Sequence, residues 1–295
     1  MTFLEQANKD TGSTGGTYFL TIAITLLSLF IGQMITNGIS YEFFGYNLTD
    51  IPKDADLNVA LTLLLIPFSF VLLSLTLCIR YLHKRPILTL FTTRKTFDWK
   101  RFTFAFLIWG SIMGIALIVS ILNGQPISFE FDASTFIPLF FVSLLLIPVQ
   151  TTAEEVFFRG YLFQAFGKLF KKGWVAIILT GTLFGLLHWA NPEVAKIGDI
   201  LLVFYISTGI FFGILTQMDD GLELGMGYHA VNNIFASIIL TNNWQAFQTD
   251  ALFVDYSAPS FGPELYLTLL VLQPLLLILF AKIYKWKNWK EKLFQ

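Results

Sequence analysis

Eight predominantly apolar runs, each long enough or nearly so to cross a bilayer, constrain this chain more than any other feature. They are 17–35, 57–79, 102–122, 136–166, 174–189, 200–216, 222–240 and 265–283. In a hydrocarbon core about 30 Å thick, every backbone N–H and C=O must be satisfied inside the protein, and a helix does this within a single segment. The expected fold is therefore all-α: one integral membrane domain over residues 1–295 with about eight transmembrane helices. With 55% of its 295 residues hydrophobic, only 13% charged and a mean hydropathy of +0.66, the chain is too apolar for a soluble domain. No repeat or linker marks a second domain.

The few charges report topology. The connection 80–101 holds seven Lys or Arg against Asp98 alone, the turn after Phe166 holds Lys168, Lys171 and Lys172, and the tail 284–295 adds Lys285, Lys287, Lys290 and Lys292. The alternate connections hold Glu42, Asp50, Asp54 and Asp56 (with Lys53), then Glu130 and Asp132, then Asp250, Asp255 and Glu264. The positive-inside rule makes the basic set cytoplasmic. With eight spans, both termini are expected in the cytoplasm of a cell bearing this protein in its plasma membrane. Residues 1–16 form a polar tail without the basic n-region of a secretory leader, so Thr17 to Ile35 reads as a retained span. This tail and the connection 241–263 are expected to be irregular. The net charge of −1 and the scattered basic runs give no footprint for nucleic acid. The single cysteine, Cys78, excludes an internal disulfide and lies in an apolar run, where a buried, inert thiol is expected.

Against this background the stretch 151–166, TTAEEVFFRGYLFQAF, stands out because it places Glu154, Glu155 and Arg159 in an apolar run. Unpaired, three such charges near a bilayer centre would cost about 8 kcal/mol. Glu155 and Arg159 lie four apart with the acid N-terminal, the favourable order for a helical ion pair. Glu154 points about 100° away and remains as the unpaired carboxylate. Pro148, one turn earlier, predicts a bend in this long segment. The bland alternative is a buried network that only fixes helix packing.

Of three histidines, His83 sits beside Lys84 and Arg85 in the basic connection and reads as a solvated charge. His188 and His229 fall in apolar spans. Counting 1.5 Å per residue from the turn near Lys171, Glu154 and His188 are each seventeen residues away and lie level, about 20 Å above the turn's ends. His229, ten residues past Asp219, falls about 15 Å above its own connection. His229 and Asn233 share one helix face, while Asn232 is directed elsewhere; Phe184 and His188 share another, with Phe184 as a wall. Gly181, Gly185, Gly225 and Gly227 read as packing residues.

A carboxylate and an imidazole in a partly dry pocket can take a proton from water, and a second imidazole with a carboxamide can donate to the oxyanion formed when that water attacks a carbonyl. Amide hydrolysis fits this set. The sequence contains neither G-x-S-x-G nor H-E-x-x-H. A zinc ion held by Glu154, His188 and His229 is chemically admissible as a minority alternative. A proton- or ion-coupled transporter, or an immunity factor acting by binding alone, could use the same polar cluster.

E-E-x-x-x-R (Glu154, Glu155, Arg159), F-x-x-x-H (Phe184, His188) and H-x-x-x-N (His229, Asn233), in that order on successive membrane segments, resemble the CAAX prenyl protease and bacteriocin-processing family, the type II CAAX endopeptidases. The motif core spans residues 151–240. The resemblance implies an eight-helix intramembrane endopeptidase in which Glu154 and His188 activate water, His229 and Asn233 form the oxyanion hole, and Glu155 with Arg159 support them. It further implies a metal-free, glutamate-dependent mechanism without cofactor, acting on a membrane-associated peptide, either lipidated and CAAX-like or of bacteriocin type.

Overall fold

The computed structural model describes residues 2–11, 14–52 and 54–294; Met1, Gly12 and Ser13 of the polar tail, Lys53 and Gln295 lie outside the described residues. Seven helices among these are long and apolar enough to cross a membrane, so the chain is an all-α polytopic membrane protein.

The first span is α1 (Gly15–Phe44). Its buried positions are Thr21, Thr25, Gly32, Thr36 and Ser40, while Phe19, Phe30 and Met34 are exposed. This inside-out pattern is what lipid demands, since tails solvate apolar side chains while small residues let backbones approach. α2 (Leu57–Leu65) and α3 (Pro67–Tyr81) form one span around Pro67, whose missing N–H is harmless at a helix start. α4 (Trp99–Leu122) is capped by Asp98, which accepts from the amides of Lys100 and Arg101.

The fourth span runs from Ala133 to Phe170 as α5 (Ala133–Glu155), a π-helical stretch at Val156–Leu162, and α6 (Phe163–Phe170). α5 passes through Pro148; the helical irregularity lies at 156–162, directly after the paired glutamates, rather than at the proline. Lys171, in the left-handed region, turns the chain into α7 (Gly173–Leu187). A short α8 (Pro192–Ile197) leads to α9 (Ile200–Asp219). α7 and α9 pack through facing glycines: a Cβ on Gly181 would lie 2.7 Å from the backbone N of Ile210, and one on Gly209 2.7 Å from the Gly181 carbonyl oxygen.

The segment expected as an eighth span is α10 (Glu223–Ile234), continued by a π-helical turn at Phe235–Ile239. It is short and rich in polar residues, with Glu223 through Val231 all buried, because it runs inside the bundle rather than against lipid. It nevertheless crosses from one end to the other. The Leu222 amide donates to the Phe91 carbonyl near the start of α4. Beyond its far end, β2 (Leu240–Thr241) pairs with β3 (Phe253–Asp255), which also pairs with β1 (Ile127–Phe129) just past the end of α4. This three-stranded sheet, in the order β1-β3-β2, orders part of the connection expected to be irregular. The same end gathers acids: burial, reinforced by Asp56 and Asp132, raises the Asp250 carboxyl above its ordinary range. α11 (Pro263–Leu267), a third π-helical turn (Thr268–Leu272) and α12 (Gln273–Ile283) make the last span, and α13 (Trp289–Phe294) follows.

Both termini meet at the basic end. The Phe3 amide donates to Asp220, and Lys292 pairs with the same carboxylate. The N-terminal tail is not loose, since Leu4–Lys9 forms a 3₁₀ helix with Phe3, Gln6 and Ala7 buried. His83 is likewise not solvated. It is fully buried, with Nε2 3.1 Å from both Tyr161 Oη and Thr21 Oγ1, and Nδ1 3.3 Å from Asp10. Arg85 lies behind it, 3.2 Å from Asp10, so the folded tail brings the carboxylate that lets two basic residues leave water.

Candidate functional site

α5 and α10 cross so that their polar residues meet. Arg159 is fully buried; its Nη1 donates to Glu155 Oε1 (3.1 Å), its Nη2 donates to the Gly209 carbonyl (3.2 Å), and its guanidinium lies 4.1 Å from the Phe184 ring centroid. The expected i,i+4 pair is thus present and shielded from water. The same Glu155 oxygen accepts from His229 Nδ1 at 2.9 Å. Glu155 therefore joins the two helices and fixes the direction of the imidazole, whose Nε2 faces the neighbouring carboxylate, 3.6 Å from Glu154 Oε2.

Glu154 differs from Glu155 in the manner its helical phase predicts. Glu155 is spent on Arg159 and His229, whereas Glu154 Oε2 is buried without a hydrogen-bond partner, the nearest cationic atom lying beyond bonding distance. The Glu154 side chain as a whole stays partly exposed, so its free oxygen sits at the edge of the buried network.

Asn233, one turn beyond His229, donates from Nδ2 to Gln150 Oε1 (3.0 Å) and accepts at Oδ1 from Asn232 Nδ2 (3.2 Å). Its orientation is fixed from both sides, leaving the second Nδ2 hydrogen for another acceptor. Asn232 is directed toward α4, where its Oδ1 accepts from Trp109 Nε1 (3.3 Å) and Trp109 stacks on Tyr228, while its Nδ2 still reaches Asn233. Gln150 escaped the sequence reading, although an amide one turn before Glu154 in an apolar span carries the same signal as the motif residues.

His188 stands slightly apart, joined by no hydrogen bond to Glu154 or His229 among the described residues. Phe184 stands between the imidazoles, its centroid 4.7 Å from His188 and 6.0 Å from His229. The expected wall is there. His188 Nδ1 donates to the Phe184 carbonyl (2.8 Å), which leaves Nε2 as the nitrogen that can accept a proton. Tyr205 stacks on its other face at 4.2 Å, with its hydroxyl donating to Glu193 (2.7 Å). Nothing in the spacing pointed to Tyr205.

Gly185 and Gly227, like Gly181, sit at close helix approaches, against Ile206 and Phe102 respectively; Gly225 does not, a Cβ there meeting Glu155 Oε2 at an ordinary 3.7 Å. Among the described residues no three His, Cys, Asp or Glu side chains are grouped as a bound metal ion would require.

Residues 133–235, which include every member of this cluster, match the family described as type II CAAX prenyl endopeptidase Rce1-like. The uncharacterised protein YyaK of Bacillus subtilis (strain 168) is 32% identical over 228 residues, covering 77% of this chain and 74% of that protein. No solved structure matches the chain.

Proposed function

Given that the chain belongs to the Rce1-like family of type II CAAX prenyl endopeptidases, intramembrane proteases built from membrane-spanning helices, we propose that it hydrolyses a membrane-associated peptide with water activated at Glu154. The observation that carries this reading is the unengaged Glu154 oxygen, buried beside His229 while the adjacent Glu155 is fully committed.

Glu154 takes the proton of a water molecule poised for attack, and the bare Nε2 of His188 receives or relays it toward the leaving amine. The attacked carbonyl becomes an oxyanion, for which His229 Nε2 and the spare Asn233 hydrogen are the donors; each such donor contributes roughly 3 kcal/mol. Because His229 Nδ1 already donates to Glu155, donation from Nε2 requires the doubly protonated ring, whose charge the Glu155 carboxylate compensates. Arg159 holds that carboxylate in place. No step calls for a metal or cofactor, and the substrate reaches the site from the bilayer or its surface.

The test is purified protein against lipidated and unlipidated peptides, with and without chelator, read by mass spectrometry. Glu154→Gln should abolish cleavage with melting temperature unchanged; wild-type rates in that variant refute the assignment. Loss of cleavage on chelation would favour zinc, and pH-driven flux through liposomes without cleavage would favour a transporter.

A further inference from the structure

A cavity of about 1090 Å³ opens at the basic end of the bundle, remote from the paired glutamates. It lies where four spans terminate, between Arg101 at the start of α4, Lys171 after α6, Asp219 at the end of α9 and Tyr284 after α12. That level is the interface between hydrocarbon and water, and Tyr284 and Trp286 on its wall are the aromatic types that favour this depth.

Its lining holds seven Lys or Arg against four Asp or Glu, and the acids are largely occupied. Asp219 is clamped by Arg94 (2.9 Å) and Arg101 (2.5 Å) and accepts from Trp286 Nε1. Asp220 is taken by Lys292 and the Phe3 amide, and Glu5 accepts from the Thr2 amide. By contrast Lys171, Lys285 and Lys287 form no ion pair among the described residues. Three exposed lysines thus line one concave space, and against them stands Glu291, the one lining acid whose side chain forms no ion pair or hydrogen bond among the described residues.

The backbone adds an independent observation. Five described non-glycine residues have positive φ, and four of them, Lys171 (54°), Asp220 (55°), Lys285 (55°) and Asn288 (57°), line this cavity. Left-handed backbone is costly for a lysine and gathers where a site constrains the chain. Here it fixes where the Lys171 and Lys285 side chains leave the main chain.

We infer that this cavity binds a phosphate-bearing anion, the headgroup of an anionic phospholipid. Basic pockets between spans recognise such headgroups. The inference is independent of the peptidase reading, because no residue of the Glu154 cluster lines the cavity.

The experiment uses the full chain in neutral detergent, titrated with short-chain phosphatidylglycerol, phosphatidylcholine or inorganic phosphate and followed by thermal shift and native mass spectrometry. The key variant is Lys171→Gly with Lys285→Gly. Glycine adopts positive φ freely, so the charge is removed while the turns keep their shape and the fold is retained. Phosphatidylglycerol should bind and stabilise the wild-type protein, with affinity about thirtyfold weaker in the double variant and falling with added salt. Inorganic phosphate binding as tightly as the lipid would assign the same anion site to free phosphate. Equal binding of phosphatidylcholine, or undiminished affinity in the variant, overturns the inference.

Discussion

Removing the Arg159 charge tests whether the buried network is organised as its geometry indicates. Arg159→Met keeps most of the side-chain length but deletes the bonds to Glu155 and Gly209 and the stacking over Phe184. Breaking one partner out of a buried pair costs about 3–5 kcal/mol, because the remaining charge is left without its counter-ion. Glu155 is not wholly abandoned, since His229 Nδ1 still donates to it. That compensation places the expected loss near the lower bound, about 3 kcal/mol, with the lost cation–π contact adding about 1. The assay is reversible unfolding in mixed micelles with increasing sodium dodecyl sulfate, run on wild type, Arg159→Met, Glu155→Gln and the double variant. The double variant replaces both charges by neutral groups, so it should recover about 2 kcal/mol relative to the sum of the singles. It should still fail to cleave peptide, because the carboxylate that orients His229 is gone. A loss below about 1 kcal/mol in Arg159→Met, or simple additivity, would show that Arg159 and Glu155 do not depend on one another.

Three further outcomes follow from the same structure. Gly185→Ala places a methyl group 2.6 Å from the backbone N of Ile206, so α7 and α9 must separate; destabilisation of about 1–3 kcal/mol is expected in the same unfolding assay, and a neutral result would contradict the close approach. Burial works against ionisation of Asp98, but the Lys100 and Arg101 amides and the Arg101 guanidinium outweigh it and hold the carboxyl below its usual range. Its stabilising contribution is therefore complete above the unfolded-state value near 4 and lost as pH falls through the lower folded value. Asp98→Ala should melt earlier than wild type at pH 7, with the difference shrinking on acidification; a difference independent of pH would refute this. Gln150→Leu frees Asn233 from the acceptor that orients it, so kcat should fall about tenfold with KM and melting temperature little changed; unaltered kcat would remove Gln150 from the site.

The meeting of these polar side chains was largely legible in sequence because charge in hydrocarbon is expensive and must be explained. Glu154, Glu155, Arg159, His229 and Asn233 were found by that rule, and counting helical rise placed Glu154 and His229 at heights where the structure shows them 3.6 Å apart. The same rule applied to Gln150 would have recovered it. His83 was misread because its local neighbours are basic, whereas its surroundings are set by Asp10, 73 residues away, and by Tyr161, 78 residues away. No local pattern encodes those meetings. Nor did periodicity reveal the N-terminal 3₁₀ helix, which is six residues long and held by tertiary contacts around Phe3 rather than by propensity. The segment expected as the eighth span is a helix, but its character was misjudged, because a helix enclosed by protein need not be apolar.

Two adjacent glutamates arrive at opposite fates because an α-helix turns 100° per residue, sending one side chain toward Arg159 and His229 Nδ1 and the other to a place where His229 Nε2, at 3.6 Å, stays beyond hydrogen-bond distance. Immediately beyond them the helix changes to π spacing at Val156–Leu162, and α10 does the same at Phe235–Ile239, directly after Asn233. Wide helical turns accompany functional sites because they shift the phase of everything downstream while leaving the preceding residues in place. Here the change falls directly after Asn233 in α10 and between Glu155 and Arg159 in the fourth span, so packing beyond each need not share the phase that the glutamates and His229 demand. Tyr161, inside the first π stretch, reaches His83 in the buried tail cluster, whereas Glu155, just before it, reaches His229. One continuous span thus serves two separate polar clusters, which a single uninterrupted helical phase would have tied together.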